Sequence, residues 1–261
     1  MADFYAETVQ RLVKEGHLTR KMRILVLCGG TLDRNVFAGC GFTDVTISNL
    51  DERMVGDEFA PFAWSFQDAE NISYADGEFD FCFVHNGLHH CYSPHRALLE
   101  MYRVARIGLV VFEPRDGLIT RLGVALSMGQ EYETAAVFDN NCDYGGVKNS
   151  EIPNFVYRWT EDEVRKCISS FAPTGRHRFG FFYATRIPWR SLRLKRNKMY
   201  LFAAVMLLPI LKAMSVVTPR ICNNFGFMVL KPKLPADLFP WIELAGGKER
   251  VKRSWLVSRY R

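Results

Sequence analysis

The sequence lacks the marks of several common protein classes. It has no Cys-x-x-Cys pair. Its seven cysteines, Cys28, Cys40, Cys82, Cys91, Cys142, Cys167 and Cys222, are scattered, several of them inside apolar runs. That excludes a disulfide scaffold and a zinc ribbon, gives no metal site, and points to a reducing compartment. There is no Gly-x-Gly-x-x-Gly, so the phosphate-binding turn of a nicotinamide-dependent oxidoreductase is missing. The apolar run 199–211 is broken at Pro209 and ended by Lys212, well short of the roughly 20 residues of a membrane span. The first residues, MADFYAETVQRLVKEG, are amphipathic and hold no signal-peptide core, so a cytoplasmic location is expected. A net charge of +6 leaves anionic partners open without demanding nucleic acid.

What is present is an alternation. MRILVLCGG (22–30) is an apolar run that stops at paired glycines, as a buried parallel strand entering a tight turn does. DVTISN (44–49), WSFQDA (64–69), FDFCFVHN (79–86) and GLVVFEP (108–114) read as four further strands. Between the last two, HRALLEMYRVAR (95–106) has its apolar residues at helical spacing, and Tyr5, Val9, Leu12 and Val13 do the same near the start. Strands alternating with helices give βαβ units and a doubly wound sheet, whose ligands bind at the carboxyl ends of the strands. Later, WTEDEVRKCISSF (159–171) predicts a helix with Thr160 as its cap and Glu163 in capping-box register. RFGFFYATRI (178–187) and FGFMVLKP (225–232) predict two more strands, with too long a segment between them for a hairpin loop. The C-terminal KERVKRSWLVSRYR (248–261) reads as a solvated basic face.

Two stretches carry chemistry. In 24–53, a strand, a Gly turn, a helix and a second strand are followed by Asn49 and Asp51, about 20 residues beyond Gly29 and Gly30. A nucleotide-like ligand needs backbone approach at such a turn and a hydrogen-bond acceptor for ribose hydroxyls after the second strand. In 67–114, Asp68-Ala69-Glu70, Asp76-Gly77, Phe79-Asp80, Leu88-His89-His90, Pro94, Ala97-Leu98, Glu100, Arg103-Val104 and Glu113-Pro114 stand in one ordered pattern. That pattern resembles the class I S-adenosylmethionine (SAM)-dependent methyltransferase family, in its type 11 branch.

The resemblance implies a Rossmann-like doubly wound sheet of seven strands, mostly parallel with the last antiparallel, in one domain spanning 1–261. It implies SAM as cofactor. Asp68 would bind the adenine amino group, with Ala69 and Glu70 beside the ring. Asp51 or Asn49 would hold the ribose, with Leu50 between them; Asp51 is expected, because a carboxylate accepts from both hydroxyls. Cys28, Gly29 and Gly30 would lie under the methionine moiety, beside His85 and Asn86. The chain departs from the family's first turn: Val26 stands at its acidic position, and Cys28 and Leu32 at two of its glycines. A hydroxyl acceptor needs a base, and the candidates are His85 and His89. His-Asn-Gly-Leu (85–88) replaces the NPPY-like tetrapeptide of exocyclic-amine nucleic-acid methyltransferases, so no nucleic-acid partner is expected.

Residues 188–221 form an expected helical insertion between the last two strands. Three readings are open for it: a lid over the acceptor pocket, which is favoured; peripheral membrane or lipid contact through 190–212, where Arg190, Arg193, Lys195, Arg196 and Lys198 precede the apolar run; or a homodimer interface. The expected activity is methyl transfer to an oxygen of a small molecule such as a sugar, a glycolipid or another metabolite. The alternative is a non-catalytic binding or scaffold protein with a degenerate cofactor turn.

Overall fold

A computed structural model describes residues 2–54, 56–185, 189–194 and 198–261. Five strands, β1 (Ile24–Leu27), β2 (Val45–Asn49), β3 (Ala63–Phe66), β4 (Phe79–His85) and β5 (Ala105–Pro114), run parallel. They are joined by α2 (Thr31–Gly39) and α3 (Pro94–Val104), and α1 (Ala2–Lys14) precedes them. After β5 come α4 (Leu118–Ala125), α5 (Thr134–Asp139), α6 (Glu161–Phe171) and β6 (Arg178–Ala184). α7 (Trp189–Leu194) and α8 (Met199–Val217) precede β7 (Asn224–Leu230), which is antiparallel to both β5 and β6. The sheet order is β3-β2-β1-β4-β5-β7-β6. The order reverses between β1 and β4, so a ligand cleft is expected where those two strands end.

Period two explains the layers. On β1, Leu25 and Leu27 join Cys82, Val84, Leu109 and Val111 in one core, against Leu98 and Met101 of α3 and Val164 and Ile168 of α6. Ile24 and Val26 join Ile47, Phe81, Phe83, Val110 and Phe112 in the other, against Tyr5, Val9 and Leu12 of α1 and Val36 and Phe37 of α2. Thr160 caps α6 by accepting from the Glu163 amide, as its sequence register predicts.

Two sequence expectations shift. The third strand ends at Phe66 rather than 69, because Asp68 to Asn71 turns back on itself, with Asn71 N donating to Asp68 O. The C-terminal basic stretch is more than a solvated face. Ile242–Ala245 (β8) and Lys248–Val251 (β9) form a hairpin, followed by α9 (Arg253–Tyr260). Gly246 and Gly247, at φ of 60° and 74°, supply the left-handed pair that a tight hairpin turn requires. In the insertion, 188 and 195–197 lie outside the described residues, and Lys195 and Arg196 with them. Its register is defined all the same: Ala184 pairs with Asn224, and Asn224 with Pro114. The insertion therefore leaves and re-enters the sheet where the parallel strands end. Among the described residues no helix is long and apolar enough to cross a membrane.

Candidate functional site

The ends of β1, β2 and β4 are tied together by short-range polar geometry. The chain leaves β1 through Cys28 at φ 51° and leaves β4 through Asn86 at the same angle. Both sit in the left-handed region without being glycine, at a cost of order 1–2 kcal/mol for cysteine and less for asparagine. Gly87 is required by packing, since a Cβ there would lie 2.4 Å from Cys28 Cβ. A Cβ on Gly29 would meet Ile47 at 2.9 Å. Gly30 differs: a Cβ there would meet nothing within 4 Å, so its bare backbone faces open space at the start of α2.

Asn49 and Asp51 separate in role. The Asn49 amide donates to the Gly29 carbonyl at 3.0 Å, and its oxygen accepts from the Leu50 and Asp51 amides. It staples the β1 turn to the end of β2 and has no acceptor to spare. Leu50 contributes its backbone to that staple. Asp51 accepts from Arg53 through both oxygens at 2.7 Å, which holds its carboxyl below the usual carboxylate range, and Arg53 stacks on Tyr144.

Of the Asp68-Ala69-Glu70 triplet, only Asp68 stays near a ligand's reach. Ala69 is packed in the core. Glu70 is buried and accepts from the amides of Tyr92 and Ser93, which pins the start of α3. Its oxygens are turned to those amides and to Lys148. Asp68 is met instead by Lys148, whose Nζ lies 2.5 and 2.6 Å from its two oxygens and 2.7 Å from Glu70. Burial raises the Asp68 pKa, and Lys148 more than offsets this, leaving the carboxyl below its ordinary range. Lys148 itself is held at φ 51°. The sequence pattern pointed to Asp68 but not to Lys148, which lies in a polar Gly- and Asn-rich stretch with no periodicity.

After β4 the organising group is Glu113, fully buried at the end of β5. One oxygen accepts from the Gly87 and Leu88 amides at 2.9 and 2.7 Å, and the other pairs with His89 Nδ1 at 2.6 Å. The signal was visible as a carboxylate ending the otherwise apolar VVFE. His89 Nε2 lies 3.2 Å from Glu133. Burial would lower the His89 pKa, but Glu113 and then Glu133 outweigh it and raise it to about 10. Reciprocally, burial raises Glu133, but His89 overrides that and pulls it to about 2. His89 thus stands between two carboxylates, with Nδ1 on Glu113 and Nε2 facing Glu133. His85 stands apart, stacked on Tyr5 at 4.8 Å with its Nε2 3.1 Å from the Asn86 amide.

Below the β1 turn lies Asp33, in the third position of α2. It is almost wholly buried and accepts from the Gly30 amide at 2.9 Å, and Tyr5 Oη lies beside its second oxygen, outside strict hydrogen-bond geometry. Burial raises its pKa to about 6. A groove of about 730 Å³ runs along α6, lined by His95, Tyr157, Glu163 and their neighbours, and contains none of the expected cofactor contacts. All seven cysteines are free.

With this geometry in place, similarities to known proteins can be read. Residues 26–112 match the methyltransferase domain family. No curated protein sequence matches the chain. Among solved structures, the chain is similar to the YcgJ protein of Bacillus subtilis at 11% identity, over 87% of this chain and 99% of that one, with a TM-score of 0.52. It is similar to the putative methyltransferase solved with the Trm112 methyltransferase activator of Haloferax volcanii, at 11% identity over 88% and 96%, TM-score 0.51. It is also similar to magnesium protoporphyrin IX methyltransferase from Synechocystis with bound SAH, at 13% identity over 87% and 82%, TM-score 0.50. At these identities the likeness of the structures is one of fold, and the family match supplies the chemistry. Residues 26–112, from β1 into β5, match a methyltransferase domain, and SAM is the cofactor that this match implies.

Proposed function

We propose that the chain transfers the methyl group of SAM to an oxygen of a small amphipathic molecule, a sugar-bearing lipid or a metabolite of that kind, in the cytoplasm. The observation that carries the acceptor class is the surface where the insertion leaves the sheet. Leu118, Leu122 and Leu126 in and just after α4, and Met199, Phe202, Val205 and Met206 on α8, are all more than half exposed. Exposed apolar side chains gathered along a helix mark a place where an apolar ligand or surface docks. Exposed Arg193 and Lys198 precede α8 and suit an anionic headgroup.

In this reading SAM supplies an electrophilic methyl on a sulfonium, and the chain supplies position, water exclusion and a proton acceptor. The open backbone at Gly30 fits close approach by the methionine moiety, beside Cys28, Gly29 and Asn86. Asp51 takes the ribose hydroxyls in exchange for Arg53, and Asp68 takes the adenine amino group in exchange for Lys148. His85 takes the acceptor's proton, with Tyr5 holding its ring by stacking. Residues 188–221 act as the lid that shields transfer from water.

The test is to incubate the protein with methyl-labelled SAM and fractionated small-molecule extracts. Label in a base-stable, organic-soluble product is expected. Replacing 188–221 with a short Gly/Ser linker should spare SAM binding by calorimetry and abolish that transfer. Label appearing only in protein or RNA would overturn the acceptor class. SAM binding without any transfer would favour a scaffold protein.

A further inference from the structure

The side chains around Glu133 are arranged as ligands are arranged around a cation. His89 and His90 form the turn that directly follows β4, and Glu133 caps the start of α5. Glu133 Oε2 lies 3.2 Å from His89 Nε2 and 3.6 Å from His90 Nε2, and the three ligand atoms fall within 4.8 Å of one another. Ligands at 2.0–2.2 Å from a tetrahedral centre stand about 3.3 Å apart. The two contacts to Glu133 are also not hydrogen bonds. Its Oε2 is buried and makes no hydrogen bond to either ring, although both imidazoles converge on it.

The far sides of both rings are fixed as well. His89 Nδ1 is held by the buried Glu113 carboxylate at 2.6 Å, and His90 Nδ1 by the Gly146 carbonyl at 3.2 Å. A carboxylate or carbonyl on the distal nitrogen sets the tautomer that leaves Nε2 free to ligate, and it orients the ring. Glu133 is anchored by its own backbone, its amide donating to the Asn154 carbonyl at 2.9 Å. Asn154 in turn donates its side-chain amide to the His89 carbonyl at 3.1 Å, and its own buried Oδ1 has no partner. Two histidines and one carboxylate, each supported from behind, make the donor set that prefers zinc, iron(II) or cobalt over the oxygen-loving magnesium.

We propose that His89, His90 and Glu133 bind one divalent transition-metal ion. Three protein ligands leave coordination positions open for an oxygen ligand. The turn that bears the histidines follows the strand that ends at His85, so the ion would sit beside the transfer site. That last link rests on the methyl-transfer reading; the binding itself does not.

The experiment uses the whole chain, stripped with a chelator and titrated with Zn²⁺ and Mg²⁺ by calorimetry and with Co²⁺ by visible absorption. One Zn²⁺ or Co²⁺ per chain is expected, with no Mg²⁺ binding and no cobalt–thiolate band in the near ultraviolet. Glu133→Gln and His90→Ala should each weaken binding at least ten-fold while circular dichroism and SAM binding stay unchanged. Absence of Zn²⁺ and Co²⁺ binding would overturn the proposal. So would binding that survives both substitutions, or binding that shows the thiolate band, since either places the ion on the free cysteines instead.

Discussion

Behind Cys28, Asn49 and Asn86 stand strands whose apolar side chains are almost completely buried. Along α4 and α8, leucines, methionines and phenylalanines of similar size stand mostly in the open. The first region ties its polar groups to backbone amides and carbonyls: Asn49 to Gly29, Glu70 to Ser93, Glu113 to Leu88. Among the described residues, the second leaves Leu118, Leu122, Met199, Phe202 and Met206 more than half exposed. A surface whose apolar side chains remain exposed still has burial to gain from whatever docks on it.

The largest contrast should come from removing one buried carboxylate. Glu113→Ala strips the partner from two amides and from His89 in a buried site, so we expect a loss of about 3–5 kcal/mol in urea unfolding. Leu122→Ala, on the exposed face of α4, should change stability by less than about 0.5 kcal/mol. Equal effects would erase the distinction between the two regions.

A second prediction concerns the support under the β1 turn. Asp33 holds its proton more tightly in the folded chain, at about 6 against an ordinary 3.8. Its contribution to folding is therefore greatest below about pH 4 and is lost as pH rises through the window up to about 6. Asp33→Asn cannot ionise and keeps an oxygen for the Gly30 amide. It should be more stable than the parent by about 2–3 kcal/mol at pH 8 and similar to it at pH 4. Denaturation at the two pH values checks this, and a constant difference would show that the buried charge is not the cause.

The smallest effect expected is on cofactor affinity. Asp68→Ala should weaken SAM binding by about 1–3 kcal/mol in calorimetry, with circular dichroism unchanged. Asp51→Ala should weaken it too. Asn49→Ala acts through the turn it staples, so its loss should be accompanied by a lower melting temperature. An Asn49 effect on affinity alone would move the ribose contact back by two residues.

Legibility in the sequence followed the same division. Each strand of the cofactor half is a short apolar run closed by a turn residue, so hydrophobicity marked β1, β2, β4 and β5 to within a few residues. Capping chemistry marked α6. Glycine was legible where a close approach needs it, as at Gly29 against Ile47, and not where a side chain serves by position alone. Glu70 and Asp68 stand two apart in one motif, yet one pins α3 and the other faces Lys148. Only the course of the backbone between them decides that. Lys148, Glu133 and Glu113 meet their partners across tens of residues of irregular chain, where no period connects them. The hairpin β8–β9 was a different omission: its Gly-Gly turn stood in plain view, masked by the charge of the strands around it.

The Lys148 clamp has a kinetic consequence. If the adenine amino group is to reach Asp68, the lysine must first let go of a carboxylate it grips through both oxygens. Capture of the cofactor then has a unimolecular opening step ahead of it. The observed association rate would rise with SAM concentration and level off at the speed at which the loop opens. Because that step breaks an ion pair that is only partly buried, added salt would raise the plateau, while an ordinary diffusional encounter would show no plateau at all.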